Sequence, residues 1–155
     1  MNKKTLLDWE ASHDAIKQTV DGFWRIFSKW REEEREDYLK TFHGKLYDEF
    51  ISVEERAIYL KFNFNAGEAV IICSINIFYL EMHIGTFDIE FSLDGEVADE
   101  YLDFDDVLSK DRILEIKHFL RVARNSIKVG LEITTISNIT GIDAKYLRIL
   151  KEKYC

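Results

Sequence analysis

The sequence predicts an α+β fold: N-terminal helices, an antiparallel meander of three to four strands, and C-terminal helices. Three observations carry this reading. Apolar residues recur at steps of three and four from residue 5 to about 51 and again from 111 onward, the period of an amphipathic helix. Between them, from 57 to 93, the period drops to two, as in half-buried strands. Helical and strand-like runs are segregated, which excludes a βαβ repeat. The 155 residues suit one domain, spanning 1–155, that can bury a sizeable core without staples.

The helical portion 1–51 is led by Ile16, Val20, Phe23, Phe27 and Trp30, which share one face. The run Arg31-Glu32-Glu33-Glu34-Arg35-Glu36-Asp37 interrupts the stripe, either as a solvated turn of one long helix or as the joint between two. Tyr38, Leu39, Phe42, Leu46 and Phe50 then resume helical spacing. Residues 57–106 form the sheet and an acidic loop. Ile58, Leu60, Phe62 and Phe64 alternate with Tyr59, Lys61 and Asn63, and Asn65 to Glu68 is a turn. Val70 to Ile84 is rich in β-branched and aromatic residues and pairs back, with Gly85-Thr86 as a second turn. Phe87, Ile89, Phe91 and Leu93 alternate again and Asp94-Gly95 marks a third turn, which gives three strands, or four if the chain pairs once more near Tyr101; residues 96–106 read as a loop with local helix or edge-strand character.

Residues 111–155 return to the helical period. Ile113, Ile116, Leu120, Ala123 and Ile127 define a helix over 111–128, and Gly130 stops it. Two short helices follow at 132–139 and 143–154, with Thr140-Gly141-Ile142 between them and Asp143 as an N-cap. Ile136, Gly141, Ile142, Leu147 and Leu150 have a spacing similar to that of a helix-turn-helix unit over 130–155. Its second helix would offer Lys145, Arg148 and Lys151 to nucleic acid.

Charge divides the chain. From residue 112 to the end there are nine Lys/Arg against four Asp/Glu, a net +5, and the remainder carries −13. An acidic body argues against a DNA reader, which needs a strongly basic domain, so a nucleic-acid partner ranks second. The acids concentrate in Glu96, Asp99, Glu100, Asp103, Asp105 and Asp106, with no basic residue among them. Held in a stiff frame, such a ridge imitates a nucleic-acid backbone and would draw in a basic protein through long-range attraction. The twenty-one aromatics mostly suit the core, and Tyr59, Tyr79 and Tyr101 are candidates either for it or for exposed binding anchors.

No pattern for catalysis, metal or cofactor stands out. His13, His43, His83 and His118 lack partners at ligand spacing, and there is no Gly-rich phosphate loop and no Gly-x-Ser-x-Gly elbow. Asp88 and Glu90 lie two apart on one strand. Ser92 stands where a nuclease of restriction type would place lysine, so a solvated sheet face is the better reading. Cys73 lies in an apolar run and Cys155 is the last residue, which makes no disulfide framework and suits a reducing compartment. Acids interrupt the N-terminus before an apolar leader forms, and the apolar run from Ala69 to Leu80 is too short to span a bilayer. A cytoplasmic protein without membrane contact is expected.

The run Phe87-Asp88-Ile89-Glu90-Phe91-Ser92-Leu93-Asp94-Gly95-Glu96-Val97 and the acids after it resemble the hairpins of bacterial immunity proteins. These accompany contact-dependent growth inhibition and related polymorphic toxins. The resemblance covers about 57–106. It implies a tight complex with a cognate toxin domain, often a nuclease, and implies no shared inhibitory residues.

Overall fold

The computed structural model of the protein describes residues 1–104 and 107–155. The class is α+β, as the periods predict. Helices α1 (Lys3–His13), α2 (Ala15–Glu33) and α3 (Arg35–Thr41) precede strands β1 (Ile51–Asn63), β2 (Glu68–Tyr79), β3 (Met82–Ser92) and β4 (Val97–Asp103). Helices α4 (Val107–Lys128), α5 (Ile133–Thr140) and α6 (Ala144–Tyr154) close the chain. The sheet is an antiparallel meander in the order β1-β2-β3-β4, so β1 and β4 are its edges.

Register and alternation assign each side chain to a face. Cys73, Ile75, Ile77 and Tyr79 of β2, with Phe87, Ile89 and Phe91 of β3, are all buried and form the inner face under the helices. Helix α2 lays Phe23 and Phe27 on it, and Gly22 lets the helix approach, since a Cβ there would sit 3.0 Å from Ile89. Phe27, Trp30 and Phe42 pack edge and face around Phe104, and Tyr38 packs against the same three rings. Helix α4 adds Ile113, Leu120, Ala123 and Ile127, while Leu147 and Leu150 of α6 complete the same apolar cluster.

Three local readings change. The first is the helical portion, which ends at Thr41 and not near 51. Beyond it the backbone is held by side chains that replace helical bonds. The Tyr38 hydroxyl accepts the Leu46 N–H at 2.9 Å, the Tyr79 hydroxyl accepts the Tyr47 N–H at 3.2 Å, and Lys117 donates to the Lys45 carbonyl at 2.8 Å. A 3-10 turn at Asp48–Phe50 then leads into β1, which starts six residues before the predicted strand.

The second is the β2–β3 turn, which lies at Leu80-Glu81 and not at Gly85-Thr86. Both turn residues have positive φ (49° and 70°), the twist a two-residue hairpin needs, yet neither is Gly or Asn. Tertiary bonds compensate. The Leu80 N–H donates to the Phe50 carbonyl at 2.9 Å, and Glu81 pairs with Lys145 at 2.7 Å. Gly85 sits inside β3 because a Cβ there would lie 2.4 Å from the Asp103 carbonyl.

The third is the acidic segment, where of the loop, local helix and edge strand left open by the sequence the structure takes the edge strand, from Val97 to Asp103. The helix expected from 111 begins at Val107. The short helices match their predicted spans within a residue, with Gly141 at φ 73° between them and Asp143 accepting from the Lys145 N–H at 2.9 Å. Thr140 belongs to α5 and is buried. Its hydroxyl donates to the Ile136 carbonyl and accepts from the Ile142 N–H. Among the described residues, no helix is long and apolar enough to cross a membrane.

Candidate functional site

The outer face of the β3–β4 ribbon gathers the charged residues. The register sets Glu90 opposite Asp99, Asp88 opposite Tyr101, and Thr86 opposite Asp103. Four carboxylates therefore share one face: Asp88, Glu90, Asp99 and Asp103. Tyr101 stands in the middle, facing Asp88 across the strands and flanked along its own strand by Asp99 and Asp103. Its side chain is 49% exposed. Like charges directly opposite one another destabilise a strand pair, and Glu90–Asp99 is such a pair.

Neighbours temper that repulsion. Tyr101 donates its hydroxyl to Asp99 at 2.7 Å, and the Glu100 N–H donates to the other Asp99 oxygen at 2.8 Å. These bonds hold the Asp99 carboxyl below its ordinary range and push the Tyr101 phenol up to about 12. Lys61 of β1 lies 3.8 Å from Glu90. Asp88 accepts a hydrogen bond from the hydroxyl of buried Ser74, which in turn accepts one from Arg56 at 3.1 Å. On this face Lys61 and Arg56 of β1 thus reach the carboxylates of β3, directly or through Ser74. A guanidinium or ammonium brought to Tyr101 would meet an aromatic face and carboxylates together.

The predicted acidic ridge divides under this geometry. Asp99 and Asp103 join the outer face. Glu100 points to the helix side, opposite Ile89, where it pairs with Arg25 at 2.5 Å. Glu96 precedes β4, its N–H donating to the Ser92 hydroxyl at 3.1 Å. Asp105 and Asp106 lie outside the described residues. Asp88 and Glu90, read from the sequence as a solvated pair, enter the acid group that the ridge was expected to form alone. The signal was present in the alternation Asp99-x-Tyr101-x-Asp103, once that segment is read as a strand.

On the second candidate surface, Lys145, Arg148 and Lys151 of α6 are all exposed, but Lys145 is engaged by Glu81 and lies over the Tyr146 ring at 4.8 Å. A set of cations not singled out from the sequence lies elsewhere. Lys45, Lys117, Arg121 and Arg124 line a cavity of about 260 Å³ with Tyr47, Tyr79 and Leu120, and among the described residues no carboxylate lines it. Burial without a counter-charge lowers Lys117 to about 8. The helical spacing of 117, 121 and 124 was visible, but only the fold brings Lys45 beside them.

Among the described residues, no three His, Cys, Asp or Glu side chains are arranged to hold a metal ion. Cys73 is buried and Cys155 exposed. No protein-family model, no curated protein and no solved structure matches this chain.

Proposed function

We propose that this protein is an acidic inhibitor that binds and neutralises a basic toxin domain, in the manner of the immunity proteins it resembles. It acts by binding, from the cytoplasm, and without cofactor. The observation that supports this reading is Tyr101, exposed at the centre of four carboxylates that include the like-charged pair Glu90–Asp99. A sheet with no partner gains nothing by opposing two carboxylates, whereas a cationic partner relieves that repulsion on docking. A lysine or arginine of the toxin would seat over Tyr101, with Asp99 and Asp103 on either side and Asp88 across from it.

The test begins with recovery of the partner from the native host on tagged protein, followed by association rates with the purified toxin domain. Reversing Asp99 and Asp103 to lysine is expected to slow association about tenfold or more at low salt, and less at high salt. An equal rate for both proteins at low salt refutes the electrostatic reading.

A second reading, nucleic-acid binding, is supported by the cationic cavity on α4 more than by α6. Here Lys45, Arg121 and Arg124 would take up phosphates. Recovery of nucleic acid without a protein partner, lost on Arg121→Ala with Arg124→Ala, would favour it.

A further inference from the structure

The two sheet edges are built differently. Strand β4 has seven residues and carries Asp99, Glu100 and Asp103, charges that discourage pairing with another strand. Strand β1 has thirteen, and from Ala57 to Asn63 its one charged residue is Lys61. The same stretch exposes Tyr59 and Leu60 at 42% each and Phe62 at 51%, and Phe64 follows at 88%. Phe62 and Phe64 touch one another with ring centroids 5.0 Å apart.

We infer that the outer edge of β1 pairs with β1 of a second copy of this chain, antiparallel, about a two-fold axis through Leu60. The register to β2 shifts between Glu55 and Ala57, so the regular ladder runs from Ala57 to Asn63. Leu60 is the middle residue of that ladder. A two-fold axis normal to the sheet keeps each side chain on its own face. Ile58, Leu60 and Phe62 are opposite Cys73, Ile71 and Ala69, and so lie on the inner face. Pairing about Leu60 sets Ile58 against Phe62, Leu60 against its copy, and Phe62 against Ile58: an unbroken apolar stripe. On the outer face Tyr59 meets Lys61 twice, which places an ammonium beside an aromatic ring and opposes no like charges.

Competing registers do worse. Centring on Lys61 opposes two lysines. Centring on Tyr59 or Ile58 carries the ladder into the irregularity at Glu55–Ala57, where the alternation of faces breaks. Centring on Phe62 runs into the turn that ends before Glu68. The join makes one eight-stranded sheet. It leaves Tyr101 free, since β4 lies three strand spacings away, about 14 Å. Three aromatic side chains of roughly 150–250 Å² each, partly exposed, supply less than the ~800 Å² per partner of a standard interface, so the dimer dissociates on dilution.

Sedimentation equilibrium of the full chain from about 1 μM to about 1 mM covers the range in which so small an interface dissociates. The expected result is a reversible dimer for the wild type and a monomer for Leu60→Lys, which places two ammonium groups on the axis. A Cys155→Ser background then reads the register, because Cys73 is buried. In it, Leu60→Cys should cross-link to itself. Ile58→Cys should not, but it should cross-link to Phe62→Cys when the two are mixed. This cysteine pattern decides the matter should Leu60→Lys fail to fold. A wild type monomeric throughout, a dimer indifferent to Leu60→Lys, or self-cross-linking of Ile58→Cys would each overturn the inference. The first of these would leave the edge to a strand of some other protein.

Discussion

Replacing Tyr38 with phenylalanine tests how the chain leaves its third helix. Tyr38 is 1% exposed, and its ring lies against Phe27, Trp30 and Phe42 with centroids 5.6–5.8 Å away. Phenylalanine keeps all of these contacts. What it removes is the hydroxyl that accepts the Leu46 N–H at 2.9 Å and also interacts with the Arg31 guanidinium, and Leu46 is itself buried. An N–H left buried without a partner costs about 1–3 kcal/mol, and no apolar surface is lost to add to that. Taking about 2 kcal/mol, and about 2–4 °C per kcal/mol for a chain of this size, the melting temperature should fall by about 4–8 °C. Urea unfolding followed by circular dichroism is the assay, with the slope m unchanged because no additional surface is exposed. Tyr79→Phe removes the neighbouring acceptor, but Tyr47 is only half-buried and its N–H bond longer, so about 0.5–1.5 kcal/mol is expected there. The two hydroxyls hold consecutive residues of one loop, so the double variant should depart from additivity. A loss below about 0.5 kcal/mol for Tyr38→Phe would show that water or a shifted loop satisfies the Leu46 N–H, and would refute the account of why the helix stops.

Two further predictions concern Lys117 and Gly85. Lys117 has a folded-state pKa of about 8, below its ordinary 10.5, so the unfolded chain binds its proton more tightly between these values. Stability therefore rises with pH from about 8 to 10.5, and the cost of the buried charge is fully present below 8. The stability difference between wild type and Lys117→Met should move in the wild type's favour over that window. A difference flat in pH would mean that the ammonium is solvated. Gly85→Ala forces a Cβ to within 2.4 Å of the Asp103 carbonyl and 2.5 Å of the Phe104 ring, so β3 and β4 must separate there. A loss of about 1–3 kcal/mol or more is expected in denaturant unfolding. Hydrogen exchange should quicken along β4, and unaltered exchange would show that the strand end yields without cost.

The chemistry of the outer face and the chemistry of the core impose separate demands on the same strands. Phe87, Ile89 and Phe91 secure β3 to α2 from the inner side, while Asp88 and Glu90 of the same strand face outward and are held by Ser74 and Lys61.

By itself the sequence determined the class, a meander of three to four strands, and the alternation of faces in 58–64 and 87–93. The period of two in 57–93 and the stripe from Ile113 to Ile127 follow from hydrophobic burial along one strand or one helix, which is local and so legible. It also determined the acid excess before residue 112. Tertiary structure alone decided the rest, because the causes lie far apart in the chain. The spacing of Phe42, Leu46 and Phe50 is helical, yet hydroxyls from Tyr38 and Tyr79 and the Lys117 ammonium take the backbone bonds a helix would have used. Gly85 reads as a turn until Asp103 is seen against it, and Leu80-Glu81 turns without glycine because Phe50 and Lys145 hold it. The acids near Tyr101 come together only through strand register, which joins Asp88 and Glu90 to Asp99 and Asp103 and sends Glu100 to Arg25. Register is a relation between strands, and no single stretch of sequence contains it.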